Sequence, residues 1–282
     1  MSIRIITDSA ADFSADELRA NNLTAIPLQI VFGDDAYEDG VTLTPEIFWQ
    51  RIMSGENPKT SQPTPDAFLT AFEAAKAAGD NVVCILLSSG LSGTVQSALL
   101  ARSMCDYDDI HVVDSLQAAT AQKMLVLRAC QLRDEGTLSA AEIAESLRSF
   151  TKRIRLYGCL DTLDYLARGG RIPQAAASLG SLVQLKVLIT INEEGKVGLA
   201  GKGMGLHRAS AGVLKLIGQH RIDERYPVLP LYTYDSANMM SFVKKLNQAG
   251  IVCREEDACA VGSTISTHVG PGVFGAVFVE AE

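Results

Sequence analysis

Short apolar runs alternate with helix-period stretches through the first half of the chain. Ile3–Ile6, Ala25–Phe32, Val82–Leu87 and Ile110–Val113 have the length and density of buried strands. Ala36–Gly40, after the turn Gly33-Asp34-Asp35, reads as a return strand. Thr44-Pro45-Glu46 opens a helix with the apolar stripe Ile47, Phe48, Ile52 and Met53. Thr64-Pro65-Asp66 opens another, with Phe68, Leu69 and Phe72 on one face and Gly79 as its stop. In both, threonine is the N-cap and proline the first helical residue. Further helices are expected over 94–104, over 117–135 up to Gly136, and from the capping box Ser139–Glu142 to about Thr151. Strands alternating with helices predict a parallel sheet covered on both faces. Three of the strands run into Asp8-Ser9, Ser88-Ser89 and Asp114-Ser115. Open α/β sheets hold their ligands at such carboxyl ends.

The second half mixes hairpins with helices. Arg155–Leu160 reads as a strand, 161–166 as a short helix and Arg168–Pro173 as a basic glycine-rich loop. A small-residue helix is expected over Ala175–Val183, then a hairpin of Lys186–Asn192 and Lys196–Ala200 about Glu193-Glu194-Gly195. Gly201–Gly205 reads as a flexible joint, Leu206–Gly218 and Ser236–Ala249 as helices, and Val228–Tyr234, Ala260–Ser266 and Ala276–Val279 as strands. Thr267–Gly272 reads as a tight loop. The expectation is an α/β protein of two domains, an N-terminal parallel-sheet domain over 1–156 and a C-terminal mixed-sheet domain over 157–282.

Composition narrows the function classes. A net charge of −8 over 282 residues argues against a nucleic-acid footprint and allows at most transient contact with anionic lipid. No apolar run approaches the ~20 residues that span a bilayer. The chain starts directly on a strand pattern, so no signal peptide is expected. Six cysteines without C-x-x-C spacing fit a reduced cytoplasmic protein with structural thiols. Four histidines with no H-x-x-x-H pair give no metal site.

The candidate chemistry lies on loops. Ser88–Thr94 joins a strand to a helix, which suits an oxyanion at the helix N-terminus; the alternative is a tight turn capped by Ser92 or Thr94. Asp8 and Ser9 either face a ligand or cap the helix that contains Asp16–Arg19. Thr60 and Ser61 lie in a proline-bounded stretch that no periodicity explains, and such stretches also serve as plain connectors. A serine nucleophile needs a base. His268, in a glycine loop, is the best candidate, against an ordinary surface histidine. Gly90-Leu91-Ser92-Gly93 is one residue short of G-x-S-x-G. Gly201-x-Gly203-x-Gly205 is not a dinucleotide fingerprint, and Gly169-Gly170 lacks the Lys-Ser/Thr of a P-loop. No nucleotide or other cofactor is expected. Thr60, Ser61, Ser92, Thr94 and His268 remain, good donors to a carboxylate.

Taken together, Thr7–Asp12, Pro58–Pro63, Ser88–Thr94, Asp161–Leu166 with Gly169–Ile172, and Thr267–Gly272 resemble, in order, the motifs of the DegV family. These are fatty-acid-binding proteins that include the FakB subunits of bacterial fatty acid kinase. The resemblance implies a two-domain α/β protein that binds one long-chain fatty acid between its domains and is not itself an enzyme. It implies that Thr60 and Ser92 hold the carboxylate, with Ser61, Gly93, Arg171 and His268 as neighbours. It further implies a separate kinase subunit that binds ATP and phosphorylates the bound carboxylate. This chain departs from the family at Met204, where an arginine is usual, and at Thr233-Tyr234-Asp235, where the family has H-A-D. Two other readings stay open: a self-contained acyl hydrolase using Ser92 and His268, and an interaction module with a vestigial lipid pocket.

Overall fold

The computed structural model describes residues 2–173 and 184–282. It divides the chain into two compact units, Met1–Lys152 and Arg153–Glu282. The helix expected over Ala175–Val183 lies outside the described residues.

In the first unit the strands are β1 (Ile3–Asp8), β2 (Leu23–Ile26), β3 (Gln29–Phe32), β4 (Asp35–Glu38), β5 (Lys59–Ser61), β6 (Asn81–Leu86) and β7 (Ile110–Asp114). The helices are α1 (Ala15–Ala20), α2 (Pro45–Met53), α3 (Pro65–Ala78), α4 (Thr94–Cys105), α5 (Ala119–Glu135) and α6 (Ala140–Phe150). Strands β2-β1-β6-β7 form the expected parallel sheet. Phe68 and Phe72 of α3 and Val95, Ala98 and Ala101 of α4 pack with Ile6, Val82, Cys84 and Leu86 of the sheet. Thr44, Thr64 and Ser139 cap their helices as expected.

Ala25–Phe32 is two strands, because Pro27 has no N–H to continue a ladder. After it the chain leaves the parallel sheet and enters a small antiparallel sheet of order β4-β3-β5. Lys59–Ser61, read as part of a connecting loop, is the edge strand of that sheet, with Thr60 opposite Ile30 and Ser61 opposite Gln29.

In the second unit the strands are β8 (Ile154–Leu160), β9 (Leu185–Ile191), β10 (Val197–Met204), β11 (Leu229–Tyr232), β12 (Cys259–Ala260) and β13 (Phe274–Val279). The helices are α7 (Asp164–Arg168), α8 (Gly205–Ile217), α9 (Ala237–Gln248) and α10 (Ser263–Val269). The sheet is mixed, in the order β10-β9-β8-β13-β11-β12, with only the β11–β12 pair parallel. Phe242, Val243 and Leu246 of α9 and Val213 of α8 bury against Phe274, Ala276 and Phe278 of β13. Gly201–Gly205 is not a flexible joint. β10 runs to Met204 after a register shift between Leu199 and Gly201, and Gly203 lets α8 approach: a Cβ there would stand 2.7 Å from the Ala209 backbone. All six cysteines are buried and unbridged.

Candidate functional site

β1 pairs with β2 on one side and β6 on the other, and β6 continues to β7. The carboxyl ends of β1 and β6 therefore flank the point where the strand order reverses, the customary ligand position in an open α/β sheet. The segment after β6 is tightly bonded. Leu87 N–H donates to Asp8 Oδ2 at 2.7 Å, Ser88 N–H to the Gln117 carbonyl at 2.9 Å and Ser89 N–H to Asp114 Oδ1 at 3.1 Å. Gly90 N–H donates to Ser88 Oγ at 3.1 Å, and the amides of Leu91 and Ser92 donate to the Ser88 carbonyl at 3.0 and 3.1 Å. The loop amides from 87 to 92 are thus engaged within the protein, so donors to an anion must come from residue 93 onward or from side chains.

The cap reading of this loop is corrected. Gly93, not Ser92 or Thr94, is the N-cap of α4, and no side chain caps the helix. Ser92 Oγ and Thr94 Oγ1 share a hydrogen bond of 2.9 Å instead. The first turn of α4 presents N–H groups without intrahelical acceptors beside the half-buried Ser92 hydroxyl. Gln62 closes one flank. Its Nε2 donates to Ser97 Oγ at 2.9 Å, and a Cβ on Gly93 would stand 2.0 Å from its Oε1. Gln62 follows β5, so this contact brings the Thr60–Ser61 strand against the start of α4.

Asp8 and Ser9 do not cap α1. Ser14 does so, in a capping box with Glu17. Asp8 is fully buried and also accepts from Ala10 N–H at 3.0 Å and Gln122 Nε2 at 3.1 Å. Burial, opposed by these donors, lifts its carboxyl to about 6.

Arg171 and His268 belong to the second unit. His268 is corrected from loop to helix: it lies in α10 and is only 9% exposed. Its Nδ1 lies against Gly169, where a Cβ would come within 2.1 Å. Arg171, half-buried, donates from Nη1 to the Gly169 carbonyl. Gly169 thus joins the two motif segments of this unit. Burial, aided by the Arg171 charge, pushes His268 down to about 4, so the imidazole is neutral at pH 7. The unfolded chain takes up this proton near 6.5, before the native chain does. Stability of the second unit from this residue is fully present above 6.5. It is lost as the pH falls towards 4, by up to about 3 kcal/mol. Amide exchange in β13 of the full chain, followed over that range, is expected to show the loss, and His268→Gln to remove it; equal slopes in the two proteins would contradict it.

Two polar residues carry this geometry without having stood out in the sequence: Gln62 and Gln122. Gln62 lies within a motif already noted. Gln122 carries a weaker signal, an amide on a helix whose neighbours from Ala119 to Val126 are all buried. Among the described residues no group of His, Cys, Asp and Glu could hold a metal ion, and no helix is long and apolar enough to cross a membrane.

A family model described as "Uncharacterised protein, DegV family" matches residues 2–281. A DegV domain-containing protein of Caldanaerobacter subterraneus is 31% identical, covering 99% of both chains. Among solved structures, a fatty-acid-binding DegV family protein from Thermus thermophilus is similar with a TM-score of 0.87 and 30% identity, covering 100% of both chains. A stearic-acid-binding protein from Eubacterium ventriosum gives a TM-score of 0.88 at 28% identity, covering 99% of this chain and 98% of that one. With a family match over nearly its whole length and relatives that share its fold end to end, the chain belongs to the DegV family.

Proposed function

We propose that this protein binds one long-chain fatty acid and holds its carboxylate with the hydroxyls of Thr60 and Ser92. The observation that carries the reading is the start of α4: an uncapped first turn, a glycine N-cap and the Ser92–Thr94 hydroxyl pair. A carboxylate there receives hydrogen bonds and the favourable end of a helix dipole. The fatty-acid-binding relatives support the choice of ligand. Ser61 and Gly93 flank the carboxylate, and Arg171 and His268 are the charged and neutral donors of second rank. A C16 tail has ~15 apolar carbons worth roughly 0.8 kcal/mol each on burial, so the tail supplies affinity and the hydroxyls fix the head. Neutral donors also leave the carboxylate more reactive than an arginine clamp would.

That suits presentation of the carboxylate to a separate ATP-dependent kinase subunit, which would form the acyl phosphate. Met204 is 47% exposed at the end of β10 and offers such a partner apolar area rather than charge. The hydrolase reading gains nothing from the geometry: Ser92 Oγ bonds to another alcohol, which does not activate it as a nucleophile. Native mass spectrometry of the purified protein, before and after palmitate, is expected to find one fatty acid per chain. Only unliganded protein, with no uptake of palmitate or oleate, would reject the reading. Phosphorylation of the bound acid is expected only when kinase subunit and ATP are both supplied.

A further inference from the structure

The segment Thr7-Asp8-Ser9 has no place in the ligand contacts proposed above, yet two of its side chains reach the stems of both ligand-facing segments. Asp8 Oδ2 accepts from Leu87 N–H at 2.7 Å, across 79 positions of sequence. Leu87 is the first residue after β6 and leads directly into Ser88–Thr94. Ser9 Oγ accepts from Leu28 N–H at 3.0 Å. Leu28 lies where the chain leaves β2 for β3, and β3 carries β5, with Thr60 opposite Ile30. Gln122 of α5 braces Asp8, donating to Thr7 Oγ1 at 3.2 Å and Asp8 Oδ1 at 3.1 Å. Two adjacent residues at the end of one strand therefore set the positions of two segments distant in sequence.

We infer that Asp8 and Ser9 are positioning residues that hold the Ser92 loop and the Thr60 sheet at the spacing a fatty-acid carboxylate requires, without touching the ligand. Both oxygens of Asp8 are occupied as acceptors, Oδ2 by Leu87 and Oδ1 by Ala10 and Gln122. An ionised carboxylate fits that set of donors. A protonated one, or an asparagine amide, turns a hydrogen towards an N–H group and disturbs the anchor. The titratable groups around Asp8 are Asp39, whose negative charge opposes its ionisation, and Cys84, a buried thiol kept protonated. Lys123, next to Gln122, is held by Glu17 and the Asp12 carbonyl.

The inference rests on the proposed fatty-acid site, and the test separates the two. Palmitate affinity is measured between pH 5 and 8 for the wild type, Asp8→Asn, Ser9→Ala and Ser92→Ala, with the fold of each checked by circular dichroism. Asp8→Asn is expected to bind about tenfold more weakly at pH 7.5, and Ser9→Ala about threefold. The wild type is expected to lose additional affinity as the pH falls through about 6, where Asp8 takes up its proton, while Asp8→Asn follows only the ionisation of the fatty acid itself. If Ser92→Ala weakens binding while Asp8→Asn and Ser9→Ala bind like the wild type with its pH profile, the positioning role is overturned and the site stands. If the wild type takes up no palmitate, the site itself fails. Should Asp8→Asn not fold, Ser9→Ala decides: unchanged affinity in that variant overturns the inference.

Discussion

Replacing Ser92 by alanine is expected to weaken palmitate binding by about tenfold to a hundredfold, the range of about 1.5–3 kcal/mol for a hydrogen bond to a charged group. The mutation removes one of the carboxylate's donors and leaves that oxygen short of a hydrogen bond, which is the costly case. It also releases Thr94 Oγ1, whose bond to Ser92 Oγ is 2.9 Å long. Thr94 is fully buried and cannot turn to solvent. Thr60→Ala is expected to act in the same direction. The tail contacts survive in both, so binding weakens rather than disappears. Calorimetric titration with palmitate and with its methyl ester separates head from tail. The ester should bind the wild type and Ser92→Ala with nearly equal affinity. A double variant that binds palmitate like the wild type would remove the two hydroxyls from the site.

The second large effect is one of stability. Gly270→Ala is expected to destabilise the second unit by about 2–5 kcal/mol, combining backbone strain with overpacking. Gly270 ends α10 with φ 73° and ψ −173°, a region open in practice only to glycine. A Cβ there would stand 2.4 Å from the Tyr165 ring of α7. The backbone cannot retreat. Gly270 N–H donates to the Ser266 carbonyl at 2.8 Å, and its own carbonyl accepts from buried Thr233 Oγ1 at 2.8 Å. Gly79→Ala is the matched control. Gly79 also has a positive φ, of 69°, but a Cβ there meets nothing within 4 Å. That substitution should cost about 1 kcal/mol. Urea unfolding of the two variants, read by far-ultraviolet circular dichroism, measures the difference. Equal costs would show that the α7–α10 contact adapts.

Much of this architecture is legible in the sequence because local signals and tertiary structure agree. The Thr-Pro starts of α2 and α3 and the capping box of α6 depend on residues within one turn, and each forms as the sequence predicts. The dense runs of β1, β6 and β7 are buried strands for the reason their composition suggests. What escapes the sequence depends on distant partners. Lys59–Ser61 is polar and three residues long, and it is a strand only because β3 supplies the opposite ladder. Ala260–Ser266 reads as a strand and Thr267–Gly272 as a loop because the stretch is rich in small and β-branched residues and ends at glycines; the strand stops at Ala260, and packing against α7 makes Ser263–Val269 a helix that buries His268. The sequence marks Ser92 and Thr60 as chemically suited to an anion. It does not show that the loop amides before residue 93 are already engaged, nor that Gln62 ties the two segments together, because both facts arise from contacts across the fold.

The proposed site places a fatty-acid carboxylate at the start of α4, between Ser92 and Thr60. Palmitate labelled with carbon-13 at its carboxyl group, added to the full chain and followed by NMR, tests it most directly. One slowly exchanging bound resonance per chain is expected, distinct from free palmitate, that shifts in Ser92→Ala and again in Thr60→Ala. A bound resonance that neither substitution moves would contradict it, as would the absence of any bound signal.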